Sequence, residues 1–398
     1  MKKIILTTTI LLIAATLSAQ NKSAGINLSI WKSVSTQPLD STQTTYLNIG
    51  FSSSMNKLYG VGINVLGGTA RQDMNGMQIS SFANIVGKNV RGMQLAGITN
   101  ICGNSLEGVS ISGLVNIAGN QTKGVLVSGL TNISGENTDG LLICGLTNIS
   151  GNESSGLQLS GMANITGQNF KGVMTSGLLN IVGNNTYGVQ LSGLANIAGG
   201  QLNGMQISLT NYATTARGVQ IGLVNYYRDN LKGFQLGLIN ANPQTKVQLM
   251  LYGGTDTKFT AAVRFKNQLF YTILGLGSYC LDLDHGFSAS AIYRAGLELP
   301  LYKDRLFISG DLGYRHIETF DNKSNAKNIP HRLYSLQARI NLECKLSKQL
   351  GLFATGGYDM SRYYNRHKSY DKGLFAEGGI IFYLPRKFQA TKSSKSSD

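Results

Sequence analysis

Charged residues are scarce in this chain of 398 residues, at 14% of the total, against ~25% in an ordinary soluble domain. Proline and cysteine are also rare, with five and four residues. These shortages exclude an acidic disordered chain, a coiled coil, collagen and a disulfide-bonded miniature domain. Glycine, by contrast, occurs 49 times, and the composition fits a β-rich protein.

The N-terminus has the features of an export signal. Lys2 and Lys3 precede an uncharged run at residues 4–15, and the small residue Ala19 follows at the expected cleavage point. Because the run is too short to span ~30 Å of hydrocarbon, it predicts a signal peptide over residues 1–19. No later stretch approaches the roughly 18 apolar residues that a membrane helix needs. Any further membrane insertion must therefore use β-strands.

A sixteen-residue repeat dominates residues 76–245. Glycine opens the successive units, at Gly76, Gly92, Gly108, Gly124, Gly140, Gly156, Gly172, Gly188 and Gly204. Asparagine recurs at the ninth position, at Asn84, Asn100, Asn116, Asn132, Asn148, Asn164, Asn180 and Asn196. Counting the shortened copies that begin at Gly204, Gly218 and Gly233, there are eleven units. A fixed period of this kind indicates stacked copies of one supersecondary unit.

The charges within the repeats show which part of a unit meets water. Between residues 76 and 203 they all fall in the last four positions of their units, at Lys88, Arg91, Glu107, Lys123, Glu136, Asp139, Glu153 and Lys171. An unpaired charge is costly to bury, so these positions form a solvated turn. The first twelve positions are uncharged and rich in β-branched residues and leucine, which predicts buried strands.

Two all-β architectures fit such a unit: one coil of a parallel β-solenoid, or one strand of a single large antiparallel barrel. A barrel would show a two-unit period and aromatic girdles, yet residues 76–203 contain only Phe82, Phe170 and Tyr187 as aromatics. The seventh position is always large and apolar. In a barrel this position would face the polar lumen, whereas a bend could turn it into a solenoid core. These observations favour the solenoid, and the large barrel stays as the alternative.

The asparagine column has two interpretations within a solenoid. The first is a ladder of side-chain amides, each bonded to its neighbours in the coils above and below. The second is a repeated turn residue that tolerates left-handed backbone. Neither gives these asparagines a catalytic role.

The flanking regions differ from the repeats in being rich in tyrosine and phenylalanine. Residues 246–385 contain eight alternating segments, which predict strands of an antiparallel outer-membrane-type β-barrel. Residues 20–75 contain three similar segments and are expected to add N-terminal barrel strands, with a hairpin turn at residues 55–57. A soluble β-sandwich is the alternative. Residues 386–398 are polar and basic and are expected to form a disordered tail.

The repeat units at residues 218–225 (GVQIGLVN) and 233–240 (GFQLGLIN) resemble those of the surface-repeat-containing proteins of Leptospira and Bacteroidetes. The similarity covers roughly residues 60–245. The resemblance implies a location at the cell surface. It implies no activity and no functional residues.

Candidate chemistry is sparse. His285 follows two aspartates, but one short acidic cluster is a weak metal signal, and His316, His331 and His367 lack a recognisable catalytic motif. Cys102 and Cys144 are expected to lie too far apart for a disulfide, and all four cysteines are expected to act as small apolar residues. We therefore predict no catalytic residue, no metal site, no cofactor and no nucleic-acid partner.

Together these observations predict a non-enzymatic outer-membrane surface protein that displays its repeats, for adhesion or for contact with glycans. The expected partners are outer-membrane lipid and surface glycans or lipopolysaccharide, which basic residues such as Arg362, Arg366 and Lys368 would contact. Two alternatives remain open. In the first, the chain is an outer-membrane channel. In the second, it is a lipid-modifying enzyme embedded in a barrel.

Overall fold

The computed structural model describes residues 25–37, 42–255, 257–278, 281–282, 286–320, 332–364 and 369–385. The predicted signal peptide, the predicted tail and His285, His331 and His367 lie outside these residues. Strands make up 77% of the described residues, among which no helix occurs; the described part accordingly contains no helix long and apolar enough to cross a membrane. The chain divides into two compact units, Met1–Gln220 with Leu231–Gly233, and Ile221–Asn230 with Phe234–Asp398.

The strands fall into two groups. The repeats and the segments before them form β1 (Ile26–Trp31), β2 (Val34–Ser35), β3 (Thr44–Met55), β4 (Lys57–Ala70), β5 (Met74–Ser80), β6 (Ala83–Val86), β7 (Val90–Ala96), β8 (Thr99–Cys102), β9 (Leu106–Ser112), β10 (Val115–Ala118), β11 (Thr122–Ser128), β12 (Thr131–Ser134), β13 (Thr138–Cys144), β14 (Thr147–Ser150), β15 (Ser154–Ser160), β16 (Ala163–Thr166), β17 (Phe170–Ser176), β18 (Leu179–Val182), β19 (Thr186–Ser192), β20 (Ala195–Ile207), β21 (Thr210–Ile221), β22 (Val224–Leu231), β23 (Phe234–Leu236) and β24 (Ile239–Ala241). The C-terminal region forms β25 (Lys246–Gly254), β26 (Phe259–Asn267), β27 (Phe270–Ser278), β28 (Leu281–Asp282), β29 (Gly286–Tyr302), β30 (Leu306–Phe320), β31 (Arg332–Lys345), β32 (Leu350–Tyr363) and β33 (Ser369–Tyr383).

The first unit is a parallel β-solenoid. Each full repeat supplies a seven-residue strand and a four-residue strand, and each strand pairs in parallel with its copy sixteen residues later. Asn100, for example, is in register with Asn116, and Gly108 with Gly124. The predicted solenoid is thus confirmed, and the alternative of one large antiparallel barrel is wrong.

The N-terminal strands belong to this stack rather than to the barrel. Strand β3 pairs in parallel with both β1 and β4, and β4 pairs in parallel with β5. The prediction that residues 20–75 add barrel strands is therefore wrong, and residues 55–57 do not make a hairpin. The sequence did not show that these strands continue the solenoid, because they depart from the sixteen-residue period. Leu47 and Val61 are paired at a separation of only fourteen residues, with register shifts on either side.

Alternation along the coil decides which side chains enter the solenoid core. Positions three, five, nine, eleven and fifteen of the unit point inward, as the buried side chains of Gln94, Ala96, Asn100, Cys102 and Leu106 show. Position seven points outward, with 36–50% of each side chain exposed. The prediction that position seven turns into the core is therefore wrong, because the bend before it leaves its side chain on the outer edge of the coil.

The second unit contains a closed antiparallel barrel of eight strands. Neighbouring strands pair in the order β25, β26, β27, β29, β30, β31, β32 and β33, and β33 pairs with β25 to close the ring. This confirms the predicted barrel, although all eight strands come from the C-terminal region. Three short connections, after β26, β29 and β31, lie at the end where β25 begins and β33 ends. We call this the short-turn end.

Candidate functional site

The eight asparagines singled out in the sequence lie in one buried column along the solenoid. The side-chain Nδ2 of each donates to Oδ1 of the next, sixteen residues later, at 2.9–3.0 Å. Each Oδ1 thus accepts from the coil before and each Nδ2 donates to the coil after. The structure therefore brings together all eight: Asn84, Asn100, Asn116, Asn132, Asn148, Asn164, Asn180 and Asn196.

The same amides also join the two strands of neighbouring coils. The Nδ2 of Asn132 donates to the backbone oxygen of Ile143 at 2.8 Å as well as to Oδ1 of Asn148 at 3.0 Å. Equivalent bonds to the residue eleven positions later, at 2.7–2.9 Å, recur from Asn84 to Asn196. Because each amide uses both its hydrogens and its oxygen, the column is a structural element with little donor capacity left for a ligand.

The column continues beyond the eight predicted residues. Asn27 donates to Asn48 at 2.9 Å, and Asn48 donates to Asn64 at 2.8 Å. Beyond the other end, Asn196 donates to Asn211 at 3.1 Å. Sequence reasoning missed these asparagines because the period is broken between Asn64 and Asn84, which are 20 residues apart and linked through the hydroxyl of Ser80. Asn27 and Asn211 also lie off the period, 21 and 15 residues from their partners.

The glycine that opens each unit is required by a close approach between coils. At Gly124 the backbone φ is +132°, and a Cβ would stand 2.0 Å from the backbone oxygen of Gly108 in the preceding coil. An L-residue rarely adopts such a φ, and its Cβ would collide with backbone atoms that cannot move aside. The sixteen-residue glycine period is therefore a packing requirement of the stack.

The outer surface of the solenoid is apolar except along one edge. Position seven forms a continuous outer column that we call the apolar edge: Phe82, Ile98, Leu114, Leu130, Leu146, Met162, Leu178 and Leu194. Position ten, on one outer face, is isoleucine in every full unit from Ile85 to Ile197. The charged residues lie instead at positions thirteen to sixteen, which we call the polar edge.

The barrel interior holds a network of buried ion pairs. Arg339 donates to both Oδ atoms of Asp311, at 2.8 and 3.0 Å, and to Glu377 at 2.9 Å. Arg315 also donates to Glu377, at 3.0 Å. Because a buried charge is tolerated when an opposite charge lies within hydrogen-bond distance, each arginine here stabilises a carboxylate and is stabilised by it.

A second cluster of this network lies nearer the short-turn end. Arg264 donates to Glu343 at 2.6 Å and lies 3.2 Å from Glu298, and Lys266 also pairs with Glu298. These charged side chains are nearly inaccessible to solvent. In the described part of the barrel, the side chains thus fill the lumen at the level of both clusters, where a channel would need water.

The last repeat coil, which belongs to the second unit, contacts the outer wall of the barrel. Asn267 donates to the backbone oxygen of Asn240 at 2.6 Å, and Thr272 donates to that of Leu238 at 3.2 Å. Tyr293 donates to the oxygen of Gly237 at 3.0 Å. Thr272 points away from the lumen, yet it is fully buried. The coil therefore covers part of the outside of the barrel rather than entering its lumen.

A cleft of about 540 Å³ opens at the short-turn end. It is lined in part by Lys246, Lys266, Glu298, Glu343 and Tyr383. Its acidic groups are already engaged, since Lys266 pairs with Glu298 and Tyr383 donates to Glu343 at 2.5 Å. These contacts make the cleft an extension of the ion-pair network.

The remaining candidate residues are not gathered into one site. His316 lies 2.9 Å from the hydroxyl of Tyr364 and 3.7 Å from Glu318, on an exposed surface. Within the described ranges, no three histidine, cysteine or acidic side chains are grouped to hold a metal ion. Cys102 and Cys144 are buried free thiols, and Cys344 is an exposed one; Cys280 lies outside the described residues.

Comparison with known proteins gives limited information. No family model and no curated protein matches the chain. Among solved structures, the N-terminal β-barrel domain of OprF from Pseudomonas aeruginosa is similar at 12% identity, covering 35% of this chain and 96% of that domain with a TM-score of 0.26. The resemblance to the surface-repeat proteins therefore stays a prediction.

Proposed function

We propose that this chain is a non-enzymatic outer-membrane protein whose eight-stranded barrel is the membrane anchor and whose repeats are carried at the cell envelope. The observation that carries the proposal is the polarity of the barrel wall. Along β31, Leu336, Ile340 and Leu342 point outward with 48–66% of each side chain exposed, while Arg339 and Glu343 between them point inward and are buried. Apolar outside and polar inside is the arrangement that a lipid-facing barrel requires.

The closed ring supports the same conclusion. In hydrocarbon every backbone N–H and C=O must be bonded within the protein, and a sheet without free edges meets that condition. Pairing of β33 with β25 removes the edges that an open sandwich would expose. The soluble-sandwich alternative has no comparable reason for an apolar exterior around a charged interior.

The channel alternative is less well supported. The buried pairs of Arg339 with Asp311 and of Arg264 with Glu343 occupy the lumen. An ion crossing the barrel would have to break such pairs, each of which is costly to disrupt. In planar bilayers we therefore expect the full chain to insert without single-channel steps. Regular conductance steps from purified protein would favour a channel instead.

We also propose that the barrel catalyses no reaction on lipid. His316, which lacks a recognisable catalytic motif, is about one-third exposed, and in the described part of the chain it contacts Tyr364 and Glu318 rather than a serine or cysteine. The absence of a pH-dependent lipid hydrolysis in reconstituted protein would agree with this. Hydrolysis that is lost in His316→Ala would contradict it.

Insertion into vesicles tests the anchor directly. The full chain should float with lipid vesicles and resist extraction by alkaline carbonate. Ile340→Arg should reduce the inserted fraction, because an arginine facing the bilayer midplane costs ~2–4 kcal/mol. Leu346→Arg is the matched control, since Leu346 is 57% exposed but follows the end of β31. A chain that stays in the aqueous fraction, or equal insertion of both variants, would contradict the proposal.

The role of the repeats at the envelope is proposed from their outer surface. The sequence suggested adhesion or glycan contact by the displayed repeats. The outward positions two, four, seven and ten of the unit are, however, mostly apolar. An apolar surface favours an apolar partner over a hydrated glycan. Protease shaving of whole cells would show which part of the repeats is accessible.

A further inference from the structure

The outward side chains of the solenoid form an unusually large apolar surface for a protein in water. Single exposed leucines are normal, but contiguous apolar patches beyond a few hundred Å² mark an interaction site. Here the apolar edge alone provides a large aliphatic, methionine or aromatic side chain in every full coil, each at least 36% exposed. The adjoining faces add position four, where Ile79, Leu95 and Ile111 are examples.

Charge on the repeats is confined to the opposite side. The eight charged residues between 76 and 203 all lie on the polar edge, and Arg91 and Glu107 pair there across neighbouring coils at 3.0 Å. No charge interrupts positions one to twelve. Between residues 76 and 203 the solenoid is therefore amphipathic, with one charged edge and a largely apolar remainder.

The depth of the apolar part matches one leaflet of a bilayer. Position two is the first apolar outward position, and position seven is at the edge, five residues further along the coil. At ~3.3 Å per residue this distance is about 17 Å. Half of a hydrocarbon core of ~30 Å is about 15 Å. A coil inserted by its apolar edge would thus place its polar edge near the surface of the bilayer.

The second unit provides a direct link between a repeat coil and a lipid-facing wall. Phe234, Leu236 and Leu238 of the last coil are outward and 37–46% exposed. The same coil is hydrogen-bonded to the outer wall through Thr272, and the ring of Phe234 contacts that of Phe270 at 5.6 Å. Apolar side chains of this coil are therefore continuous with the wall that the barrel presents to lipid.

We propose that lipid acyl chains cover the apolar edge and faces of the solenoid, so that the repeats are embedded in one leaflet with the polar edge toward water. This inference rests on the proposed membrane anchor and goes beyond it, since an anchored barrel could also carry its repeats in water. The neutral asparagine column suits this arrangement, because its amides bond to one another inside the coils and need no water.

Single spin labels in vesicle-reconstituted full-length protein test the proposal. The background replaces Cys102 by alanine and Cys144 by serine, residues found at the equivalent positions Ala118 and Ser128, and Cys280 and Cys344 by serine. Leu130→Cys then reports on the apolar edge and Asn120→Cys on the polar edge. Ile340→Cys reports on the barrel wall, and Leu146→Cys is a second apolar-edge site in case the first variant does not fold.

The proposal predicts that labels at 130 and 340 collide with oxygen far more than with a water-soluble nickel chelate. The ratio of the two collision rates should be several-fold higher at 130 than at 120. A water-accessible label at both apolar-edge sites, with 340 in lipid, would overturn this inference and leave the anchor intact. Shielding from both reagents would mean that protein, such as a second copy, covers the edge. A water-accessible label at 340 would overturn the anchor itself.

Discussion

The repeats and the barrel both bury a polar network and both expose apolar side chains, but the two buried networks use different chemistry. In the repeats the buried links join identical neutral amides, as between Asn116, Asn132 and Asn148 at 2.9 and 3.0 Å. In the barrel they join opposite charges, as between Arg339 and Asp311 at 2.8 Å. Each interior contains a buried polar network, yet only that of the barrel is charged.

The difference follows from symmetry. In a parallel stack every side chain faces a copy of itself about 4.8 Å away. A repeated charge would meet a like charge at a cost of roughly 3 kcal/mol for an effective dielectric constant of ~20. Asparagine carries both a donor and an acceptor, so it can bond to its own copy. The barrel strands do not repeat, so an arginine can be placed opposite a carboxylate.

The exposed polar edge obeys the same rule. Where successive coils carry charges at position sixteen, the signs alternate: Arg91, Glu107, Lys123 and Asp139 are in register. Charged residues can therefore stack in successive coils when a positive charge is followed by a negative one. The buried column, whose repeat is unbroken from Asn84 to Asn196, is neutral.

Removing a charge from the barrel interior should have the largest effect. Arg339→Met leaves Asp311 and Glu377 without a major partner. Because an unpaired buried charge is costly, the free energy of the local unfolding that exposes the amides of the barrel strands to exchange should fall by about 3–5 kcal/mol. Hydrogen–deuterium exchange in micelles measures this strand by strand. Arg332→Met, which removes an exposed pair with Glu318, should leave exchange unchanged. Equal effects of the two variants would contradict the claim that the buried ion pairs stabilise the barrel.

Adding a methyl group to the stack should have the next largest effect. Gly124→Ala puts a Cβ 2.0 Å from the oxygen of Gly108 and forces an unfavourable φ, and we expect a loss of about 3 kcal/mol. Exchange should accelerate in the coils around residue 124 and not in the barrel. Gly356→Ala is the control, because nothing lies within 4 Å of its added Cβ. Unchanged exchange in Gly124→Ala would contradict the close approach of the coils.

Cutting one rung of the asparagine column should have a smaller effect. Asn132→Ala leaves the buried amide of Asn116, the oxygen of Asn148 and the backbone oxygen of Ile143 each short of one bond. We expect a loss of about 2 kcal/mol, centred on the two neighbouring coils. Asn120→Ala, which removes an exposed amide bonded to Asn104, should be nearly neutral. If both variants lose the same free energy of unfolding, the buried asparagine column stabilises the solenoid no more than the exposed polar edge does.

The sequence predicted the parallel stacking of the repeats correctly but did not predict which side chains of each coil face outward. The sixteen-residue period of Gly108 and Gly124 predicts parallel stacking, because only a translated copy keeps such a register. The prediction that position seven faces the core is wrong because size and apolarity do not show on which side of a bend a side chain lies; Leu130, for example, is 39% exposed. When polar and apolar residues alternate along a strand and none is charged, the sequence does not show which of the two sets faces the interior.

Other features depended on partners that are distant in the chain. Arg264 and Glu343 pair across 79 residues, and Arg339 and Glu377 across 38. Nothing in their local sequence sets which strands become neighbours, so the ion-pair network could not be predicted. The N-terminal coils were missed because their spacing of 21 residues between Ile26 and Leu47 departs from the period.

The single tryptophan of the chain gives the most direct test of an outward apolar surface in lipid. Trp31 is 52% exposed and follows Ser29 by two residues, as Phe82 follows Ser80, within one parallel register. It is therefore an outward aromatic side chain at the N-terminal end of the solenoid. In vesicles, brominated acyl chains should quench its fluorescence strongly, while aqueous iodide should not. Strong quenching by iodide, with none by brominated lipid, would contradict the account.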